Sequence, residues 1–312
     1  MLAASAALAV SPPSFAAPST TALVVPFPPG GSTDALARQL QPGLQAALGR
    51  NVIVENKSGA AGSVGAAYVA KSPPDGSSFL VTFDSHAVIP AILEQPPLNV
   101  ETDLVPVFLV GTAPYVIAAN ADKPYRNFAD VVAACKEKAG AVRYASVGIG
   151  TLGHLAMTVL GKKAGVEITH VPYRGGGPAM NDVLGGHVDL IAGSAALITP
   201  QLSSGRIRPI MQLGRERLSN LRDTPTAIES GFPDYVVTTW WGFVAPGRTP
   251  AEVVAKISSD TGRVLKMPDI SAKLVAQGLY AAPSTPSQFE AHIHAETARY
   301  AKIVKEAGIK AE

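Results

Sequence analysis

The sequence predicts an α/β protein made of two similar lobes with a ligand cleft between them. Two stretches of the chain, 23–83 and 142–192, each show the order strand, helix, strand, helix, strand, which is typical of a parallel sheet with covered faces. Glycine-rich loops follow strands in both stretches, and open α/β sheets bind ligands at these carboxyl ends of their strands. Two apolar extended segments, 104–120 and 235–244, predict two crossings between the lobes and therefore a hinge.

The first stretch opens with a buried strand, an elbow rich in proline and glycine, and a helix. Residues 23–27 (LVVPF) form a short apolar run with two adjacent valines, as in a strand buried on both faces. Residues 28–31 (PPGG) end the strand, and the glycines let a ligand approach the backbone. Ser32, Thr33 or Asp34 can cap the helix that follows, whose free N–H groups attract an anion. An ordinary βα turn explains the same residues, so the elbow alone does not decide between these interpretations.

The remaining elements of both stretches repeat the same order. In the first stretch, a strand at 51–55, a glycine-rich loop with a short helix at 58–71 and a strand at 79–83 are predicted. In the second stretch, strands are predicted at 142–147, 168–172 and 188–192, with glycine-rich elbows at 148–151 and 174–177. The two stretches therefore present two glycine-rich loops each at the ends of their strands.

The chain after the second crossing is predicted to be helical and to return to the first lobe. Residues 249–252 (TPAE) combine an N-cap, a proline at the first helical position and a capping-box glutamate. Residues 285–286 (TP) start a last helix with an apolar inner side. A shorter helix is predicted to start at 224–225 and to end at Gly231.

Composition and charge exclude some classes of protein. The 312 residues, of which 47% are apolar, suit two domains of ordinary size. The formal net charge is only +2 and the basic residues do not cluster, so nucleic acid is not an expected partner. Cys135 is the single cysteine and lies in an apolar helical pattern, so we expect a buried side chain and not a nucleophile.

The N-terminal segment resembles a secretory signal peptide. Residues 1–17 are rich in alanine and end in a small-residue cleavage region, although the basic start of such a signal is missing, as in a truncated signal. No other stretch approaches the roughly 18 continuous apolar residues of a membrane helix. The sequence therefore predicts a soluble, exported protein.

Six segments together resemble the substrate-binding proteins of tripartite tricarboxylate transporters, the Bug family of periplasmic receptors. In the family's order they read VVPFPPGGSTDALAR, VENKSGAAGSVGA, PDGSSFLVT followed by SHAVIPAI, YASVGIGTLGHLA, VPYRGGGPAMNDVLGGHVDL, and DTPTAIESGFPDY followed by WWGFVAPGRTP. The resemblance spans nearly the whole chain from Val24 onward. Each glycine loop is a weak signal alone, whereas the ordered set is specific.

This resemblance implies a fold of the periplasmic binding protein type II class, with two α/β domains joined by a two-stranded hinge and a ligand cleft between them. Domain I then comprises residues 18–119 and 238–312, and domain II comprises residues 120–237. The implied protein is a monomeric receptor, not an enzyme, with no cofactor and no bound metal. It captures a small di-, tri- or aromatic carboxylate and delivers it to the permease subunits of a tripartite transporter.

The resemblance also implies the site, because the family holds a ligand carboxylate mainly through main-chain amides at facing loops. The matching positions in the first lobe are Phe27, Pro28, Gly30, Gly31, Ser32, Thr33, Asp34, Ser85 and His86. Those in the second lobe are Ser146, Gly150, Thr151, His154 and Ser194. Arg174 follows a strand end and either forms a salt bridge with a ligand carboxylate or tethers its glycine loop. The sequence leaves both roles of Arg174 open.

Asp84 departs from the family's pattern, which more usually has a small uncharged residue after the third strand. A carboxylate near the cleft repels an anionic ligand. We therefore expect Asp84 to point away from the ligand, to pair with Lys57 or His86, or to mark a ligand that carries a donor group.

Other chemistry finds less support in the sequence. Asp34 is the only acid in the elbow, and bonding to backbone N–H groups explains it better than a role as a general base. Residues 148–153 fit G-x-G-x-x-G, but no acidic residue lies where a dinucleotide ribose needs one. No spacing matches a zinc or calcium site. Two alternatives to a transport receptor are a small-molecule transferase and a ligand-sensing subunit; recovery of the ligand unchanged separates a receptor from an enzyme.

Overall fold

The structure, a computed structural model, describes residues 18–308, and the predicted signal peptide at 1–17 lies outside them. The strands within 18–308 are β1 (Thr20–Val25), β2 (Asn51–Asn56), β3 (Ser78–Phe83), β4 (Leu104–Asn120), β5 (Arg143–Ser146), β6 (Thr169–Pro172), β7 (Leu190–Ser194), β8 (Ile207–Gln212), β9 (Thr238–Pro246) and β10 (Tyr280–Ala281). The α-helices are α1 (Ser32–Leu48), α2 (Ser63–Ala70), α3 (Ser85–Ile92), α4 (Phe128–Glu137), α5 (Leu152–Ala164), α6 (Gly176–Leu184), α7 (Ala195–Ile198), α8 (Ala251–Leu265), α9 (Pro268–Ala276) and α10 (Pro286–Ala307). Short 3₁₀ turns lie at Ala60–Gly62 and Thr199–Ser204.

The strands form one continuous sheet whose two halves share a topology. The first half has the order β2-β1-β3-β9-β4, with β1 parallel to β2 and β3. The second half has the order β6-β5-β7-β4, with β5 parallel to β6 and β7, and β8 pairs with β4. Each half thus places three parallel strands beside an antiparallel one, and the predicted α/β class is confirmed.

A single long strand, β4, connects the two halves of the sheet. Its residues 104–114 pair with β9, whereas its residues 115–120 pair with β7 and β8. The return crossing lies where the backbone N–H of Tyr115 donates to the Val237 carbonyl at 3.0 Å, just before β9 begins. Both predicted crossings are therefore extended and adjacent.

The core consists of two apolar clusters, one on each face of the sheet. Side chains of a strand alternate between faces, and accordingly Trp240 packs in one cluster and Trp241 in the other. Helices α2, α3, α5 and α10 contribute to the first cluster, and α1, α6 and α8 to the second. Both tryptophans are almost fully buried, as is Cys135. Both faces of the sheet are thus covered, as parallel strands require.

Several helix starts differ from the sequence prediction. Gly31, and not Ser32, Thr33 or Asp34, is the N-cap of α1. Pro250 is the N-cap of α8, one residue after the predicted Thr249, whereas Thr285 caps α10 in a full capping box. The predicted helix at 224–231 is only a turn, in which the Ser230 N–H donates to the carbonyls of Thr226 and Ala227 and the left-handed Gly231 ends the segment.

Candidate ligand-binding site

The elbow after β1 lies against the glycine loop after β6, so the two halves of the sheet meet backbone to backbone. A Cβ atom on Gly177 would lie 2.5 Å from the Pro29 carbonyl oxygen, and one on Gly175 would lie 2.7 Å from the Pro28 ring. A Cβ on Gly31 would lie 3.6 Å from the Gly176 nitrogen. Glycine is needed at 175 and 177 for this close approach. The N-termini of α1 and α6 consequently face each other.

An inner cavity of about 20 Å³ lies between these two helix N-termini. Its lining residues are Phe27, Gly31, Ser32, Thr33, Phe83, Tyr115, Val147, Gly176, Ser194 and Leu197. The cavity has room for about one water molecule in this closed arrangement. None of its lining side chains carries a formal charge, whereas the first N–H groups of each helix have no partner within the helix. The inner cavity is therefore neutral in formal charge and rich in amide donors.

A larger outer cleft of about 670 Å³ adjoins the inner cavity. Three loops at the ends of strands line it, namely 58–62 after β2, 147–149 after β5 and 172–174 after β6, together with Ile92 and Leu93. Phe27 and Val147 line both spaces, so they form the boundary between them. A ligand held in the inner cavity can thus extend into the outer cleft.

Asp34 shapes the elbow and does not line either space. Its carboxylate accepts hydrogen bonds from the Gly30 backbone N–H at 3.1 Å, from Arg38 Nε at 3.1 Å and from Asn56 Nδ2 at 3.0 Å. Burial raises its pKa, but these hydrogen bonds outweigh the burial and leave the pKa below its usual value. Asn56 also donates to the Phe27 carbonyl at 2.9 Å. The expected bonding of Asp34 to backbone is confirmed.

Thr33 is held from the opposite side of the elbow. Its hydroxyl oxygen accepts a hydrogen bond from Trp241 Nε1 at 3.2 Å, and both side chains are buried. Phe83 also lines the cavity, and its ring centroid lies 5.2 Å from that of Trp241 and 6.1 Å from that of Phe27. The second crossing strand, β9, therefore supports the first helix N-terminus directly.

The predicted residues after β5 hold their own loop in place. Ser146 Oγ lies 3.0 Å from the Gly148 carbonyl and 2.7 Å from His170 Nε2. His154 Nδ1 accepts from the Gly150 N–H at 3.1 Å, and its ring stacks on that of His170 with the centroids 4.0 Å apart. Burial, and then His154, lower the pKa of His170 to about 3, so both rings are neutral at pH 7.

The residues after β3 are buried beneath the cleft. Asp84 is fully buried and accepts a hydrogen bond from Thr239 Oγ1 at 2.5 Å. Burial raises the pKa of Asp84 to about 7 and lowers that of His86 to about 4. Asp84 lines neither the inner cavity nor the outer cleft, and Lys57 pairs with Glu55 instead of with Asp84.

The structure brings together only part of the predicted site. The predicted residues that line the inner cavity or the outer cleft are Phe27, Gly31, Ser32, Thr33, Arg174 and Ser194. The predicted residues that line neither space are Pro28, Gly30, Asp34, Ser85, His86, Ser146, Gly150, Thr151 and His154, and His86 lines a separate cavity. The sequence analysis placed the glycine-rich loops at 58–62 and 174–177 at the cleft, but it named neither Tyr115 nor Gly176 nor a residue of 58–62 as a ligand contact. The glycine run at 175–177 indicated a close backbone approach, but nothing in the sequence indicated that the elbow at 28–31 is the segment it approaches.

Metal and membrane features were sought over the described part of the chain. Within residues 18–308, no three His, Cys, Asp or Glu side chains come close enough together to ligate a metal ion. No helix in the same range combines the length and the apolar character needed to cross a bilayer.

Comparison with known proteins identifies the family. The profile of the tripartite tricarboxylate transporter family receptor, TctC, matches residues 36–309. Protein BugT of Bordetella pertussis is 33% identical over 290 residues, which cover 92% of this chain and 89% of BugT. The structure of Rhodopseudomonas palustris Rpa4515 with adipate superposes with a TM-score of 0.90 at 31% identity, covering 94% of this chain and 99% of Rpa4515. MatC from the same species, with bound malate, superposes with a TM-score of 0.86 at 28% identity, covering 92% of this chain and 99% of MatC. This chain therefore belongs to the tripartite tricarboxylate transporter receptor family of periplasmic solute-binding proteins.

Proposed function

We propose that this receptor captures a small organic carboxylate between the two halves of its sheet and delivers it to the permease subunits of a tripartite transporter. The observation that carries the proposal is the pair of opposed helix N-termini, α1 and α6, around an inner cavity without charged side chains. Amide groups at helix N-termini stabilise anions. The relatives Rpa4515 and MatC, whose structures contain adipate and malate, support a carboxylate as the ligand class.

Ligand entry requires the cleft to open. The closed inner cavity of about 20 Å³ is too small for a carboxylate group with its carbon chain. The two extended crossings, in β4 and just before β9, are the places where the halves can rotate about each other. Residues 18–119 with 238–312 then move as domain I, and 120–237 as domain II. Closure returns Gly175–Gly177 to the elbow and buries the ligand.

A site of this kind favours binding that is easily reversed. Because no lining side chain of the inner cavity is charged, opening leaves no buried ion without a partner. Ser32 and Thr33 at the start of α1 and Gly176 at the start of α6 supply donors from opposite sides. The receptor works as a monomer in the periplasm and returns its ligand chemically unchanged, which distinguishes it from a transferase.

A proline substitution tests the role of the α1 amides. Ser32 is the first residue of α1, where proline is tolerated, and Gly31 before it is extended, as a residue before proline must be. Ser32→Pro therefore removes the N–H donor and the hydroxyl of Ser32 from the cavity lining and keeps the helix. We expect carboxylate affinity to fall about tenfold or more by calorimetry, as for loss of a hydrogen bond to a charged group.

The matched control is Ala251→Pro at the first position of α8, which is exposed and follows an extended residue. This variant should bind carboxylates like the wild type. In a thermal-shift screen of mono-, di- and tricarboxylates, a ligand at 100 times its dissociation constant should add about 2.7 kcal/mol of stability. The proposal is wrong if no carboxylate binds, or if Ser32→Pro binds as tightly as the control.

A further inference from the structure

The outer cleft combines apolar walls with a single charged side chain. Phe27, Ile92 and Leu93 line it from the first half of the sheet, and Val147 and Ile149 from the second. No aspartate or glutamate lines the cleft, and Arg174 is its only lining residue with a formal charge. Such a space suits an apolar chain that ends in an anionic group.

Arg174 has no partner of its own within the described residues 18–308. Its side chain is exposed and forms neither an ion pair nor a hydrogen bond there, unlike Arg143, Arg217, Arg263 and Arg299. A guanidinium group is charged at any physiological pH and matches a carboxylate with two parallel hydrogen bonds. An arginine without a partner at the edge of a ligand cleft is therefore available to an anionic ligand.

The backbone on both sides of Arg174 is fixed when the cleft is closed. The hydroxyl of Tyr173 donates to Asp182 at 2.6 Å, which ties the loop to α6. On the other side, Gly175 lies against Pro28 of the elbow. When the cleft is closed, these contacts hold the Arg174 backbone at the edge of the outer cleft. The position of Arg174 relative to the elbow therefore depends on closure.

The loop opposite Arg174 keeps a strained shape. Ala60 and Ala61 have φ values of 42° and 53°, in the left-handed region that residues with a side chain seldom adopt. Strained backbone of this kind concentrates at ligand-binding sites, where the surrounding structure maintains it. The backbone of the 58–62 loop, one wall of the outer cleft, therefore keeps a specific shape.

We propose that Arg174 binds the second carboxylate of an α,ω-dicarboxylate whose spacer is apolar, while the first carboxylate lies in the inner cavity. This inference rests on the proposed function and adds the class of ligand. The apolar walls at Phe27, Ile92 and Val147 contact the methylene or aromatic spacer. Ligands whose spacer carries several hydroxyl groups are disfavoured, because the side chains of Phe27, Ile92 and Val147 beside the spacer offer a hydroxyl no partner.

Matched six-carbon ligands provide the test. Hexanoate has one carboxylate, adipate has two, and galactarate has two with a hydroxyl on each carbon between them. Calorimetry on the full chain at 50 mM salt should show adipate binding about tenfold more tightly than hexanoate and galactarate, and pairs with four and eight carbons extend the series. The preference for adipate should shrink at high salt, because the bound guanidinium is partly exposed.

Two arginine variants separate a specific contact from net charge. Arg174→Gln should lose the preference for adipate over hexanoate and keep the affinity for hexanoate. Arg126→Gln, which makes the same change of charge at an exposed residue lining neither space, should keep the preference. If monocarboxylates of every chain length bind as tightly as the matched dicarboxylates, or if Arg174→Gln keeps the preference, the inference is wrong and the proposed function stands. If none of these carboxylates binds the wild type, both the proposed function and this inference are wrong.

Discussion

The buried carboxyl of Asp84 should make the stability of this protein depend on pH. Asp84 is fully buried and accepts a hydrogen bond from Thr239. Tyr115, Glu296 and Arg299 are the other polar groups that act on it. Burial is the largest cause and raises the pKa of Asp84 from 3.8 to about 7, so replacing the carboxyl with a neutral amide should stabilise the protein at neutral pH.

The sign and size of the effect follow from this pKa. Between pH 4 and 7 the folded state keeps the proton of Asp84 and the unfolded state has lost it, so the free energy of unfolding falls as pH rises. Each pKa unit corresponds to about 1.4 kcal/mol, so the cost of Asp84 to the folded state reaches about 4 kcal/mol above pH 7. Asp84→Asn carries no charge and its side-chain oxygen still accepts from Thr239. The free energy of unfolding of the variant should therefore equal that of the wild type near pH 4 and exceed it by a growing amount up to pH 8.

Urea unfolding followed by the fluorescence of the buried Trp240 and Trp241 measures this difference at each pH. His86, whose pKa burial lowers to about 4, opposes the effect of Asp84 because its neutral folded form loses stability as pH falls below 6.5. This contribution is present in both proteins and cancels in the difference. Asp122→Asn at an exposed site should give a difference near zero at every pH. A stability difference for Asp84→Asn that does not change with pH would refute the reasoning.

Three further predictions concern the elbow and the core. Gly177→Ala places a methyl group 2.5 Å from the Pro29 carbonyl oxygen, so the cleft should not close fully and carboxylate affinity should fall about tenfold or more by calorimetry. Trp241→Phe removes the hydrogen bond to Thr33, which should weaken carboxylate binding about three- to tenfold in the same assay. Cys135 is buried and burial raises its pKa, so a thiol reagent at pH 7.5 should label it only after denaturation.

Each of these predictions has a simple control or contrary result. Gly262→Ala, whose new methyl group would make only ordinary contacts at 3.6 Å with Phe108, should bind carboxylates like the wild type. Normal affinity in Gly177→Ala would mean that the close approach of the two loops is unnecessary. Unchanged binding in Trp241→Phe would remove Thr33 from the site, and rapid labelling of the native protein would show that Cys135 is accessible.

Most of the fold could be predicted because its strands are apolar runs between glycine-rich loops. The long strand β4 was predicted with the bounds that the structure shows. The strand β8 was missed, because Arg208 and Pro209 interrupt its apolar pattern. Proline is tolerated there since β8 pairs only with β4 and is an edge strand. Local patterns thus identify interior strands better than edge strands.

The site could be predicted only as a set of loops. Sequence reasoning placed Ser146 and His154 opposite the elbow, but the structure places Gly175–Gly177 there. Which loop meets the elbow depends on the relative orientation of the two halves, which packing along β4 and β9 determines and no local motif encodes. Ser146 bonds to Gly148 and His170, and His154 accepts from the Gly150 N–H and stacks on His170, so these side chains are engaged by their own half of the sheet. Their residue types alone do not show this.

The path of β4 also has a consequence for the order in which the chain acquires structure. Every strand of the second half of the sheet lies between residues 104 and 212, so this half can complete its hydrogen bonds from one continuous segment. The first half needs β9, which arrives only at residues 238–246 and inserts between β3 and β4. As the chain emerges from synthesis or translocation, the edge of β3 in the β1–β2–β3 sheet therefore lacks its partner strand β9 until most of the protein is available.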